Sequence, residues 1–135
     1  MKIAHRRRLE QAALGFVFLW FLLGGIAHFA FTDLEMRIVP PAIPWPRATV
    51  LASGAIELLG AAGLIFEATR KAAGMSLFAL TIAVTPANIY MLQHAESFHV
   101  PYWLLVLRLP MQVALLALIA WSTRDRLRTT RVRPR

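Results

Sequence analysis

The sequence predicts an all-α integral membrane protein, a four-helix bundle of two antiparallel hairpins with both termini cytoplasmic. Three observations carry that expectation. Hydrophobic residues make up 58% of the 135 and charged residues only 16%, with a mean hydropathy of +0.56, too apolar for a soluble domain of this size, where about half is usual. The apolar residues form four runs, 12–31, 48–66, 72–92 and 102–121, each near the roughly 20 residues a helix needs to cross about 30 Å of hydrocarbon. Finally, twelve lysines and arginines flank one side of those runs against two, Arg37 and Arg47, on the other, and basic flanks resist translocation.

Residues 1–11, with "HRRR", form a basic cytoplasmic N-terminus that resembles the n-region of a secretory signal. A signal's apolar stretch is shorter, about 7–15 residues, and ends in a small-x-small site, so the first run reads as an uncleaved span. The outer loop that follows, 32–47, carries prolines at 40, 41, 44 and 46, which no regular helix accommodates. Its interspersed Ile38, Val39, Ile43 and Trp45 place it in the outer interface as a cap. The short "EATRK" joins spans two and three as a tight inner hairpin, and "QHAESFHVP" joins three and four outside. Trp45, Tyr102 and Trp103 mark one boundary and Trp121 the other, as an aromatic belt does. The tail, 122–135, is arginine-rich; beside a membrane end such residues gain about 1 kcal/mol each from anionic lipid, and with no nucleic-acid recognition fold the partner expected is the lipid bilayer and not nucleic acid.

Polar residues interrupt the spans at one level. Glu57 lies in "LASGAIELLGAAGLIF", Arg108 and Gln112 in span four, Asn88 after Thr81 and Thr85 in span three, and His28 after Gly24 and Gly25 in span one. At about 1.5 Å per residue all five fall in the outer half. Thr81, Thr85 and Asn88 are spaced i, i+4, i+7, and Arg108 and Gln112 i, i+4, so each helix presents a single polar stripe. An isolated carboxylate at a helix centre costs about 2.5–3.5 kcal/mol in the bilayer, and the expectation is that Arg108 neutralises Glu57 in an inward-facing layer. Pro86 and Pro110 free a backbone carbonyl beside that layer, which neighbouring helices can satisfy.

The segments "GGIAHF", "IVPPAIPWP", "SGAIELLGAAGLI", "TPANIYM" and "RLPMQ", in that order between Gly15 and Trp121, resemble the DoxX and DoxX-like family of small membrane proteins. The resemblance implies a four-helix membrane bundle in the bacterial cytoplasmic membrane. It also implies an association with redox metabolism, since the family takes its name from a subunit of a thiosulfate:quinone oxidoreductase.

With no cysteine, thiol redox chemistry is excluded, and without a soluble catalytic domain stand-alone catalysis is not expected. The leading expectation is an accessory or anchor component, partnered by redox-complex subunits, that holds a quinone or another lipophile in an outer-half cavity. Glu57 and Arg108 organise that site; Asn88, Gln112 and His28 hydrogen-bond a headgroup. Two rivals stand beside it: a transporter, which four short helices can form only as a homo-oligomer, and an assembly factor binding other membrane helices through small-residue faces. No metal site is expected, because His94, Glu96 and His99 have no familiar ligand spacing.

Overall fold

The computed structural model describes residues 2–124; its regular elements are all helices, with no strand among the described residues. The basic tail expected over 122–135 therefore lies outside the described residues from position 125 on.

Helix α1 spans Lys2–Ala30, beginning well before the apolar run, because nothing in "KIAHRRRLEQ" breaks a helix and Arg6 reaches Glu10 at 3.3 Å one turn on. The chain then turns through Thr32, whose hydroxyl donates to the carbonyls of His28 (2.7 Å) and Phe29 (3.1 Å). A one-turn helix, α2 (Thr32–Glu35), and a 3-10 turn at Met36–Ile38 follow. The proline-rich stretch ends at Trp45, whose backbone is left-handed (φ 54°), and Pro46 opens α3 (Pro46–Ile65), a position where its missing N–H costs nothing.

Helix α4 (Glu67–Ala83) starts after the single extended residue Phe66, so "EATRK" is the first turn of a helix and not a loop. The physical reason is capping across the turn. Thr69 Oγ1 donates to the Gly63 carbonyl at 2.7 Å and Arg70 Nε to the Leu64 carbonyl at 3.0 Å, satisfying the last carbonyls of α3 from the helix that follows. The expected third span is interrupted at Val84, beyond which α5 runs Thr85–Gln93; Pro86 has no N–H to bond one turn back. Helix α6 (Tyr102–Thr123) continues through Pro110 without interruption.

Helix α1 packs against α3 and α6, and α4 packs against the same two, so α3 and α6 stand diagonally. Val17, Leu64, Leu77 and Ile119, one from each of α1, α3, α4 and α6, are almost wholly buried at the centre of the shared core. Arg124 approaches Glu10 at 3.4 Å, which puts the first turns of α1, the α3–α4 turn and the end of α6 at one end of the molecule. We call it the basic end, and the opposite end, with α2 and the proline-rich stretch, the loop end. Large apolar side chains such as Leu23, Leu59 and Val113 point outward. Four helical stretches, counting α4–α5 as one, are long and apolar enough to cross a membrane.

Candidate functional site

Above the core, toward the loop end, the helices separate around a cavity of about 360 Å³. Phe21 and Leu115 form its floor, being shared with the core cluster. Four of the five expected site residues, Glu57, Asn88, Arg108 and Gln112, line it; His28 stands behind Glu57.

The α4–α5 and α6 side is a chain of hydrogen bonds. Arg108 Nε donates to Asn88 Oδ1 at 3.2 Å, and Asn88 Nδ2 donates to Gln112 Oε1 at 2.6 Å. Gln112 Nε2 donates both to the Thr81 carbonyl at 2.8 Å and to the Thr85 hydroxyl. Thr81 itself turns its hydroxyl back to the Leu77 carbonyl at 2.7 Å. The two stripes read from the sequence thus meet each other. Gln112 supplies a donor to a backbone carbonyl beside the Pro86 break, the compensation a discontinuous helix requires where water is excluded.

Glu57 belongs to a second cluster. Its expected ion pair with Arg108 does not form: Glu57 Oε1 lies 3.6 Å from His28 Nε2, while Arg108 bonds Asn88. The reason is the diagonal arrangement. Glu57 on α3 and Arg108 on α6 face each other across the cavity, whereas α1 lies directly against α3. That approach is close because of glycine: a Cβ on Gly54 would come within 2.7 Å of His28 Cβ, and one on Gly24 within 2.6 Å of Glu57 Oε2. Side chains on a helix tilt toward its own N-terminus. In this antiparallel pair His28, three residues past Gly25, and Glu57, three past Gly54, therefore lean toward each other over the crossing.

A residue the sequence reading missed completes this cluster. Glu35 Oε2 lies 3.9 Å from His28 Nδ1, brought back over the end of α1 by the Thr32 turn. Its only sequence signal is its position seven residues after His28, on an apparent loop. His28 Nδ1 and Glu57 Oε2 are buried without a hydrogen-bond partner, so this half of the site retains unused polar capacity, unlike the Asn88–Gln112 half. At the loop end His94 Nδ1 sits 3.0 Å from the Tyr90 carbonyl, and among the described residues no three His, Asp or Glu side chains are arranged to hold one metal ion.

The sequence matches a family described as a domain of unknown function (DUF8561) over residues 17–124, most of the chain. The chain belongs to the DUF8561 family. All of the polar residues named above fall inside the DUF8561 segment, from His28 to Gln112, whereas the Arg6–Glu10 turn at the start of α1 precedes it. No curated protein and no solved structure shows significant similarity to the chain.

Proposed function

We propose that this DUF8561 protein is an integral membrane four-helix bundle, N-in and C-in in a bacterial cytoplasmic membrane, that holds a lipophile with a polar headgroup in the cavity. The single observation behind this reading is the cavity's composition. Trp20, Phe21, Leu104 and Met111 give it apolar walls, while Glu57, Arg108, Asn88 and Gln112 converge on it from three helices. An apolar pocket of about 300–1,000 Å³ with a few fixed polar groups is the usual form of a small-molecule site.

The residues fit a quinone-like headgroup in chemical type. Arg108, which gives only its Nε–H to Asn88, has further donors for a ring oxygen, and Glu57, whose Oε2 is unpartnered, accepts from a ring hydroxyl. The resemblance to DoxX-like proteins supports an accessory or anchor role beside redox-complex subunits, in which the bound molecule and not this chain carries electrons.

Native mass spectrometry of the protein extracted from its own membrane in mild detergent tests the proposal. A retained lipophile, lost in Glu57→Gln while that variant remains in the membrane, is the expected result. Retention of the same molecule by Glu57→Gln overturns the role given to Glu57. A stoichiometric protein partner with no small molecule overturns the ligand reading and leaves an anchor or assembly subunit.

A further inference from the structure

Three side chains from three elements form a file from the loop end to the cavity: Glu35 on α2, His28 on α1 and Glu57 on α3. The gaps are 3.9 Å between Glu35 Oε2 and His28 Nδ1 and 3.6 Å between His28 Nε2 and Glu57 Oε1. Both imidazole nitrogens therefore face a carboxylate. Side-chain exposure falls along the file, from 27% at Glu35 to 17% at His28 and 13% at Glu57, so one end meets the surface and the other the cavity wall.

We propose that Glu35, His28 and Glu57 are a proton relay between the loop-end surface and the cavity. It rests on the ligand reading above and sharpens it: the lipophile is one whose headgroup gains or loses a proton, as a phenolic or hydroquinone-type hydroxyl does.

Imidazole suits this role because its two nitrogens can donate and accept at once. In the starting state Glu35 carries a proton, the ring carries one on Nε2, and Glu57 is a carboxylate. Glu35 gives its proton to Nδ1, the ring gives its Nε2 proton to Glu57, and Glu35 is left as a carboxylate. One proton has moved and none is created. Rotation of the ring, or return of a proton along the same path, restores the original tautomer. Both gaps exceed a hydrogen bond by less than 1 Å, within reach of a side-chain adjustment, and such contacts commonly tighten only when ligand is bound.

The surrounding charges leave the file to itself. The charged groups acting on His28 are Glu57 and Glu35. Asp33, Glu35's neighbour on α2, is engaged by Arg47 at 3.7 Å. Arg108 faces the file from α6 across the cavity, and α4–α5 presents the uncharged Thr81 and Asn88 there.

The test uses the full chain in lipid nanodiscs with no added ligand, so its outcome is independent of the ligand experiment. The pH is lowered until the carboxylic-acid C=O band of Glu57 appears, assigned by its loss in Glu57→Gln, and the exchange of that band is followed by time-resolved infrared spectroscopy after mixing with D₂O at the same pH. Glu35→Gln and His28→Gln are expected to slow its exchange on the order of tenfold or more, the scale on which a positioned proton carrier acts. Wild-type rates in both variants overturn the relay and mean that Glu57 exchanges through the cavity. A wild-type rate in Glu35→Gln alone overturns it equally. Should His28→Gln fail to fold, Glu35→Gln, a change on the partly exposed α2, decides the matter. If Glu35→Gln slows exchange yet native mass spectrometry finds no lipophile, the relay stands and the ligand reading falls.

Discussion

Gln112 makes more of the interhelical polar contacts than any other described side chain at the cavity, accepting from Asn88 and donating to the Thr81 carbonyl and the Thr85 hydroxyl. Interhelical hydrogen bonds in membrane proteins average about 0.6 kcal/mol each, and a buried group left without its partner costs about 1–3 kcal/mol. Gln112→Leu is therefore expected to destabilise the protein by about 2 kcal/mol, measured as a shift in its unfolding transition in mixed micelles. A change below about 0.5 kcal/mol, the size of an ordinary surface substitution, would mean these bonds are replaced by others. Glycines offer a second comparison at this scale. A Cβ at Gly54 would collide with His28 and approach the Gly25 backbone, whereas one at Gly15 meets nothing within 4 Å. Gly54→Ala should cost about 1–3 kcal/mol, as overpacking does, and move His28 away from Glu57. Gly15→Ala should be neutral or stabilising by up to about 1 kcal/mol, through helix propensity. Equal melting temperatures for the two variants would remove the close α1–α3 contact from the account.

At the scale of elements, the two prolines inside spans behave differently. The chain breaks at Val84, two residues before Pro86, and a side chain of α6 donates to the Thr81 carbonyl beside the break; α6 runs through Pro110 unbroken. Pro86→Ala should restore a backbone bond from residue 86 to the Ile82 carbonyl, seen as a newly protected amide in hydrogen exchange. It should also realign α5 so that Asn88 loses Gln112. If amide 86 exchanges freely in the variant, the break has another cause. Much of this was legible in the sequence. The four apolar runs, the single polar stripe on each helix and the proline beside the layer all follow from periodicity and composition. The partner of Glu57 did not follow, because periodicity tells which face a residue occupies and not which helix lies beside that face. With α3 and α6 diagonal, Arg108, the cation inside a span, is not the group nearest to Glu57. The useful signal was the matched spacing of Gly25–His28 and Gly54–Glu57, which places two polar side chains over one glycine crossing. Glu35 was hidden for another reason: the Thr32 turn that returns it to His28 depends on side-chain to backbone bonds that a loop's composition does not reveal.

For the whole molecule, the segregation of charge gives a prediction about orientation. Arg6, Arg70, Lys71 and Arg124 belong to the turns gathered at the basic end, while the loop end carries Asp33, Glu35 and Glu96 with Arg37 and Arg47. Basic residues near span ends hold their side in the cytoplasm, and acidic ones contribute little, so the basic end should face inward and Glu35, the entrance of the relay, outward. The absence of cysteine from the sequence makes this directly measurable, since a single introduced thiol is the only one the chain carries. With a membrane-impermeant maleimide applied to intact cells, Ser97→Cys, in the 3-10 turn between α5 and α6, should label at once. Thr69→Cys, in the α3–α4 turn, should label only after the membrane is permeabilised. The reverse pattern would place Glu35 on the cytoplasmic side, and the relay would then exchange protons with the cytoplasm. Labelling of both sites in intact cells would contradict a hairpin that crosses the membrane between them, and with it the assignment of the cavity to the outer half of the bilayer.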